Sequence, residues 1–372
     1  MKLAIVSHNF VKGDGQGRVL YEIVKEALRQ HADVTLVANR VDQELLDAGA
    51  SLIPVFPLMS RPLLLKVRDF VRKTDPIVRE LRSCGSVVVG NGFTMRSAHD
   101  VNIAHMVHGI WLKVASRLNL GGNPLRRRYQ NLYTRANATW EKQAFRAARR
   151  VVAVSQLVRD GLTAIGVGDE RIEVIANGVD IEEFSPGEET REALGLPQNT
   201  PLAIFVGDLR SPLKNLDVIL SALSSVPSLH VAIVGDRAGS PYPEKAAGLG
   251  VAERSQFLGR RSDVAALMRA SDFCVFPSHC DAFGLVVLEA MACGLPVIAS
   301  RAAGASQLVS PECGVVLDPN DQVGWTSALA EFAHRPERLG KMGRASRAVA
   351  ESHTWAGMAK QYMAVFETVR PA

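Results

Sequence analysis

The sequence predicts an α/β protein with two doubly wound domains, and three patterns support this expectation. Short apolar runs recur along the 372 residues and end in small or polar residues; they lie at 3–6, 34–38, 87–89, 151–154, 204–206, 231–234, 273–276 and 297–299. Within each run the apolar residues are nearly continuous, which is typical of strands buried on both faces of a parallel sheet. Apolar residues at helical spacing separate several runs, and the whole pattern starts twice.

The two starts of the pattern set the expected domain boundaries. The pattern begins at Met1 and again near Pro201, after a stretch rich in Gly, Pro, Asn and Glu. That stretch predicts a linker with one short helix at residues 189–194. The expected boundaries are 1–176 for the N-terminal domain, 177–200 for the linker and 201–353 for the C-terminal domain. Ligands are expected at the carboxyl ends of the strands and in a cleft between the domains.

Composition narrows the class of protein. Hydrophobic residues make up 47% of the chain and charged residues 22%, which excludes a disordered chain. The five cysteines are odd in number and form no C-x-x-C pair, so neither a disulfide framework nor a zinc site is expected. The N-terminus shows no signal-peptide pattern, and no run approaches the ~18 apolar residues of a membrane span. We therefore expect reduced thiols and a cytoplasmic location.

The basic charge of the chain favours an anionic partner. The net charge is +5, which suits nucleic acid, an anionic membrane or a phosphorylated substrate, or else a plain solvated surface. The segment from Leu125 to Arg150 has arginine clusters at both ends and four interleaved aromatic residues, and it predicts a pair of basic helices. Such a pair fits an anionic membrane, nucleic acid, or a charged outer face above core aromatics.

Two strand ends in the sequence carry anion-binding patterns. Residues 9–18 contain three glycines where the first strand gives way to a helix, and backbone N–H groups there suit an anion. The spacing does not match G-x-G-x-x-G and no acid ends the next strand, which disfavours a dinucleotide oxidoreductase and leaves a flexible turn open. Arg210 and Lys214 follow the strand at 204–206. They predict a diphosphate clamp, with charge-assisted bonds worth roughly 1.5–3 kcal/mol each, or else a solvated basic loop.

The sharpest pattern combines two acids and a glycine after the strand at 273–276. Asp281 and Gly284 lie in the loop, and Glu289 follows on an otherwise apolar helix. A carboxylate there needs a partner, and two ribose hydroxyls or an intradomain ion pair would supply it. His108 ends another apolar run beside Gly109, and we favour it over His105 as a ligand for substrate hydroxyls.

Together these motifs resemble the family 4 retaining glycosyltransferases, which have the GT-B fold of two facing Rossmann-like domains. The resemblance covers nearly the whole chain. Its motifs are the glycine loop, Asn177-Gly178-Val179-Asp180, residues 206–214, Val234-Gly235-Asp236, Phe257-Leu258-Gly259, residues 281–297 and Thr354-Trp355. It implies that a last helix over 358–369 crosses back, so that residues 354–372 complete the N-terminal domain. Residues 140–145 are similar to members that build bacterial lipopolysaccharide core.

The resemblance also implies the roles of individual residues. Glu289 would bind the ribose, Asp281 the hydroxyls of the donor sugar and His108 an outer hydroxyl of that sugar. The groups expected at the diphosphate are Arg210, Lys214, Gly15, Phe283, Gly284 and Leu285. Three positions depart from the family pattern: Asp281 replaces the usual Glu, Asp208 stands where the arginine usually follows the glycine, and Gln307 replaces a common Glu.

The implied function is retaining glycosyl transfer from a nucleotide-diphosphate sugar. UDP is the default nucleotide, and the acceptor is a hydroxyl of a cell-envelope glycan or glycolipid, reached by a cytoplasmic protein at the inner face of the membrane. No metal or other cofactor is expected, because cations and helix N-termini neutralise the leaving diphosphate. The alternatives are a non-catalytic nucleotide-sugar binder, or an epimerase or phosphorylase on the same fold. The motifs argue against a nucleic-acid-binding protein.

Overall fold

The computed structural model describes residues 1–13, 15–58, 61–115, 118 and 124–370. It divides into two units. The first contains residues 1–115, 124–178 and 355–370, and the second runs from Val179 to Thr354.

Strands and helices alternate along both units. The strands are β1 (Lys2–Val6), β2 (Asn9–Phe10), β3 (Asp33–Ala38), β4 (Arg40–Val41), β5 (Ser51–Pro54), β6 (Val87–Asn91), β7 (His99–Ala104), β8 (Ala148–Ala153), β9 (Ile172–Val174), β10 (Leu202–Val206), β11 (His230–Val234), β12 (Ser255–Gly259), β13 (Phe273–Phe276), β14 (Val297–Ser300) and β15 (Gly314–Leu317). The helices are α1 (Gly15–Arg29), α2 (Gln43–Asp47), α3 (Leu63–Ser83), α4 (His108–Ala115), α5 (Pro124–Ala147), α6 (Gln156–Ala164), α7 (Leu216–Leu223), α8 (Tyr242–Gly248), α9 (Val264–Arg269), α10 (Leu285–Ala292), α11 (Gln322–His334), α12 (Pro336–Glu351) and α13 (Trp355–Thr368).

The first unit is built on a parallel sheet in the order β5-β3-β1-β6-β7-β8-β9. The apolar stripe of α1, which includes Leu20 and Ile23, packs on one face together with Tyr362 and Phe366 of α13. Phe70 of α3 packs in a second cluster with β1 and β6. The strand order reverses between β1 and β6, and that reversal is where ligands bind in open α/β sheets.

The second unit has a six-stranded parallel sheet in the order β12-β11-β10-β13-β14-β15. Apolar residues of α7 and the fully buried Trp325 of α11 share one core with β10, β11 and β13. The strand order reverses between β10 and β13. The sequence expectation of two Rossmann-like α/β units is therefore confirmed.

Two local expectations are wrong. Residues 191–195 form a turn and residues 189–190 have no regular structure, so the short helix expected at 189–194 does not form. Arg191 instead ion-pairs with Asp272 at 2.9 Å and donates to the Thr200 carbonyl at 2.6 Å. The segment from Leu125 to Arg150 is not a helix pair: α5 ends at Ala147, and the last two arginines begin β8, whose β-branched residues continue the sheet.

Within the described residues, no helix combines the length and hydrophobicity that crossing a bilayer requires.

Candidate functional site

Two loops meet at the point of strand reversal in the second unit. One follows β10 and carries Lys214, and the other follows β13 and carries Asp281. The Lys214 Nζ lies 2.5 Å from the Asp281 Oδ2, and both side chains are only partly exposed. The ammonium also lies 5.2 Å from the centroid of the Phe276 ring. The structure thus brings together a cation and an anion that are 67 positions apart in the chain.

The loop after β10 is held by polar contacts to its neighbours. Residues Pro212–Lys214 form a short 3-10 helix, which the Ser211 hydroxyl caps by accepting from the Leu213 N–H. Asn215 adopts a left-handed conformation with φ 54°, which asparagine tolerates better than most residues. Its buried amide donates to the carbonyls of Pro277 (3.1 Å) and Pro319 (2.8 Å). Lys214 therefore projects from a fixed turn.

The loop after β13 is fixed by hydrogen bonds around Asp281. The Asp281 N–H donates to the Ala302 carbonyl at 3.0 Å, and its own carbonyl accepts from the Gly304 N–H at 3.0 Å. The Phe283 N–H donates to Asp281 Oδ1 at 3.2 Å. Phe283 was expected to serve a ligand, but its ring is buried and its N–H already has this partner.

Gly284 turns the chain from this loop into α10. Its φ of 89° suits glycine, and a Cβ at this position would lie 2.9 Å from the Phe276 ring. The N-terminus of α10 begins at Leu285, so its first backbone N–H groups point outward with the positive end of the helix dipole. This end of the helix favours an anion next to Lys214.

Glu289 lies one turn further along α10, and its side chain is only partly exposed. Within the part of the chain that the structure describes, its carboxylate makes no hydrogen bond or ion pair. Burial, with a smaller contribution from the charge of Glu183, raises the pKa of Glu289 to about 7. A carboxylate held this way is stabilised when a ligand supplies hydroxyl donors.

Arg210 was expected beside Lys214 but is engaged elsewhere. Its guanidinium contacts Asp208 Oδ1 at 3.3 Å and Asp236 Oδ2 at 3.7 Å, and more than half of the side chain is exposed. Asp208 lies two positions earlier, so the pairing is local and surface-exposed. Such pairs contribute little energy, and an anionic ligand can compete for this arginine.

The first unit has its own cavity, of about 350 Å³, at the reversal between β1 and β6. His108 starts α4 on its wall, and Glu141 of α5 holds that histidine in place. The His108 backbone N–H donates to Glu141 Oε1 at 2.5 Å, and its Nδ1 lies 2.6 Å from Glu141 Oε2. Because a carboxylate only accepts, Nδ1 carries the proton and Nε2 is left for a ligand.

The rest of the cavity wall combines imidazole, amide and hydroxyl groups with apolar surface. The polar residues include His8, Asn91, Thr94, His105 and Asn137, and the apolar ones Phe93, Met106 and Tyr133. Burial and the nearby charge of Lys66 lower the pKa of His8 to about 4, so this imidazole is neutral at pH 7. Among the described wall residues, none is Lys or Arg, and Glu141 is the single acid.

Gly15 is exposed at the first position of α1, next to the cavity residues Gln16 and Gly17. The role of this helix N-terminus as an anion site, which the glycine loop predicts, stays a prediction. In the ranges the structure covers, no group of three or more His, Cys, Asp or Glu side chains is arranged to hold a metal.

Two family models match successive parts of the chain. Residues 13–183 match the model described as Glycosyltransferase Family 4, and residues 187–349 match the model described as Glycosyl transferases group 1. Each match covers a little under half of the chain, and together with the two parallel-sheet units they make the chain similar to the GT-B glycosyltransferases.

Particular relatives and solved structures are also similar to the chain. A D-inositol 3-phosphate glycosyltransferase of Segniliparus rotundus is 34% identical over 241 residues, which are 61% of this chain and 54% of that protein. The chain spans about half to two thirds of the length of the curated relatives it matches. WaaG, a glycosyltransferase involved in lipopolysaccharide biosynthesis, superimposes with a TM-score of 0.77 at 20% identity over 100% of both chains. Anabaena Alr3699/HepE in complex with UDP-glucose gives 0.72 at 20% identity, over 99% of this chain and 100% of that one. These structural likenesses show the fold.

The expected residues fall into two groups. Lys214, Asp281, Gly284, Leu285 and Glu289 gather in the second unit. His108 and Gly15 lie in the first unit. Sequence reasoning missed Glu141 and His8. The partner of Glu141, His108, is 33 positions away, so sequence spacing does not connect the two residues. The available signal for Glu141 was an acid on a helix next to buried aromatic residues.

Proposed function

We propose that the protein transfers a glycosyl group from a nucleotide-diphosphate sugar to a hydroxyl acceptor. The observation that carries the proposal is the Lys214–Asp281 pair, which lies beside the N-terminus of α10 with the unpartnered carboxylate of Glu289 one turn away. A nucleotide-diphosphate sugar offers a matching series of groups: ribose hydroxyls, a diphosphate and sugar hydroxyls.

Each group has a role in this proposal. Glu289 accepts from the two ribose hydroxyls, and Lys214 with the α10 N-terminus binds the diphosphate. Asp281 accepts from hydroxyls of the donor sugar, and Arg210 adds charge when the ligand draws it from Asp208. His108 offers Nε2 to a sugar hydroxyl.

The reaction breaks the bond between the sugar and the diphosphate, and negative charge develops on the departing phosphate. Lys214 and the α10 N–H groups stabilise that charge where it forms, which is the reason we propose a metal-independent reaction. We also propose retention through front-side attack, in which the departing phosphate oxygen takes the proton of the acceptor hydroxyl. Full activity in EDTA supports metal independence, and loss of activity restored by a divalent cation overturns it.

UDP is the proposed nucleotide. The structural neighbour HepE is recorded with UDP and with UDP-glucose, and the pocket chemistry here is compatible with the same ligand class. Calorimetric titration with UDP, GDP and ADP in EDTA tests this choice, with Glu289→Ala and Lys214→Ala as site variants. Binding of one nucleotide that both variants lose supports the donor site, and no binding of any nucleotide contradicts it.

The proposed acceptor is an uncharged glycan or glycolipid of the cell envelope. The curated relatives are named for D-inositol 3-phosphate, an anionic acceptor, but no cation lines the described wall of the first-unit cavity. Imidazole, amide and hydroxyl groups next to Phe93 and Tyr133 suit a neutral polyol. Transfer to neutral glycosides, with none to D-inositol 3-phosphate, supports this acceptor class, and the reverse preference overturns it.

A cytoplasmic location belongs to the same proposal. All five cysteines are free thiols, and three of them are buried.

Donor consumption without any acceptor would instead identify an epimerase, and nucleotide binding without any turnover would identify a non-catalytic binder.

A further inference from the structure

Large exposed hydrophobic side chains are concentrated in one part of the first unit. Phe56 is 63% exposed, Leu58 76% and Leu132 59%, and Leu63, Leu65 and Tyr129 are also exposed. We call these six residues the apolar ridge. The other comparable side chains among the described residues are Leu52 of β5, which is 38% exposed, and Leu249 and Val323 of the second unit. Isolated exposed hydrophobics are ordinary, whereas a cluster on one face marks an interaction surface.

Hydrogen bonds join the three segments of the apolar ridge. The Leu58 N–H donates to Asp69 of α3 at 2.8 Å, and Lys73 of α3 donates to the Phe56 carbonyl at 2.7 Å. The Leu64 N–H contacts the Tyr129 hydroxyl of α5 at 3.3 Å. Leu132 lies one helical turn from Tyr129, on the same side of α5. The ridge is therefore a single surface supported by α3 and α5.

The two stretches of sequence that contain the ridge are basic. Residues 51–73 and 124–135 contain nine Lys or Arg and one acid, Asp69, which gives these two stretches a charge of +8 against +5 for the whole chain. Arg61, Arg68 and Arg128 are exposed. The lone acid is neutralised locally, since Lys73 lies 3.1 Å and Arg72 3.7 Å from its carboxylate. The rest of the chain is net acidic, so the excess of positive charge is carried by these two stretches of the sequence.

We propose that the apolar ridge docks on an anionic lipid bilayer. Phe56 and Leu58 enter the boundary between headgroups and acyl chains, and the surrounding cations contact lipid phosphates. Nucleic acid is a poorer match, because proteins bind it through contacts to phosphates and bases. Such contacts would leave the aliphatic side chains of Leu58 and Leu63 exposed to water. A bilayer offers both the apolar depth and the negative charge that this surface matches.

The test is co-sedimentation of the full chain with vesicles of phosphatidylcholine alone or mixed with phosphatidylglycerol. We expect binding to the mixed vesicles that weakens with salt, and a loss of about tenfold or more for Phe56→Ser with Leu58→Ser. Val323→Ser is the matched control, because Val323 is 76% exposed, as Leu58 is, and lies in the second unit. Its binding should equal that of the wild type.

A second measurement separates this inference from the proposed function. UDP titration of the Phe56→Ser, Leu58→Ser variant should match the wild type, which also shows that the variant is folded. Equal vesicle binding by wild type and variant overturns the proposal. The proposal is also overturned if the wild-type protein does not bind the mixed vesicles. Stronger binding to RNA than to vesicles also overturns it.

Discussion

The Lys214 ammonium and the Asp281 carboxylate form an ion pair across the carboxyl ends of β10 and β13, with Nζ and Oδ2 at 2.5 Å. The pair fixes the direction of a lysine whose charge the proposed reaction uses. It also means that a bound diphosphate competes with the Asp281 carboxylate for the Lys214 ammonium. The two partners therefore give opposite expectations on mutation.

Removal of the cation should weaken donor binding. We expect Lys214→Ala to lower both the affinity for UDP and kcat/KM with the donor sugar at least about tenfold, the equivalent of ~1.4 kcal/mol. Calorimetry and initial rates measure these effects. Lys245→Ala is the control, because Lys245 also pairs with an aspartate, Asp217, in the second unit. Unchanged kcat/KM for Lys214→Ala would exclude Lys214 from the site.

Neutralisation of the anion should act on the sugar rather than on the nucleotide. In Asp281→Asn the lysine loses its competing carboxylate, so we expect UDP to bind as well as before or better. The preference for UDP-sugar over UDP should fall, because the sugar hydroxyls lose a charged acceptor. Titration with both ligands measures the ratio. A parallel loss of both affinities would show that Asp281 serves to position Lys214 instead.

Glu289 predicts a pH dependence of stability. Its pKa of about 7 lies above the ordinary value of 4.5, so between these values the folded chain binds more protons than the unfolded chain. Stability from this group is therefore present below the unfolded pKa and is lost as pH rises through the folded pKa. Glu289→Gln should stabilise the unliganded protein by about 2–3 kcal/mol at pH 8 and hardly at all near pH 4.5. Thermal melting at both pH values checks this difference.

The same carboxylate predicts proton release on nucleotide binding. Ribose hydroxyls stabilise the ionised form, so a nucleoside that carries no phosphate should bind more tightly as pH rises through 7. Uridine is a suitable probe, and calorimetry in buffers of different ionisation enthalpy reports the released proton. The effect should vanish in Glu289→Gln. A wild-type affinity that is flat with pH would contradict the assignment.

Glu141 predicts the tautomer of His108. Two contacts, at 2.5 and 2.6 Å, hold the histidine and place the proton on Nδ1. We expect Glu141→Gln to change the tautomer, seen in nitrogen-15 spectra of the ring, and to lower transfer to the acceptor about tenfold or more. UDP affinity serves as the control and should not change. An unaltered tautomer with reduced transfer would indicate a different cause.

Gly284 predicts a steric requirement at the start of α10. Gly284→Ala places a Cβ 2.9 Å from the Phe276 ring at φ 89°, and we expect a loss of about 1–3 kcal/mol of stability together with weaker UDP binding. Gly250→Ala is the matched control, since φ is 69° there and no atom lies within 4 Å. The difference between the two variants measures the clash alone. Equal melting temperatures for the two variants would show that the clash does not lower stability.

Much of this architecture is readable from the sequence because buried parallel strands are continuous apolar runs. The positions of Lys214, Asp281 and Glu289 after β10 and β13 could also be predicted, since each follows such a run, whereas their roles stay predictions. The His108–Glu141 pair could not be predicted, because no local pattern specifies which helix of the first unit packs against the first residue of α4, 33 positions earlier. The contact of Arg210 with Asp236 could not be predicted for a related reason: Asp236 follows the neighbouring strand β11, and sequence spacing does not record that adjacency, so the role of Arg210 stays a prediction.

The two-segment construction of the first unit has a consequence for biosynthesis. Tyr362, Met363 and Phe366 of α13 fill the core above α1, although they follow every residue of the second unit in the chain. On the ribosome, the second unit emerges as one continuous stretch and has all its core residues before α13 is made. The first unit holds an open apolar face during that interval, and its folding is completed last although its synthesis begins first.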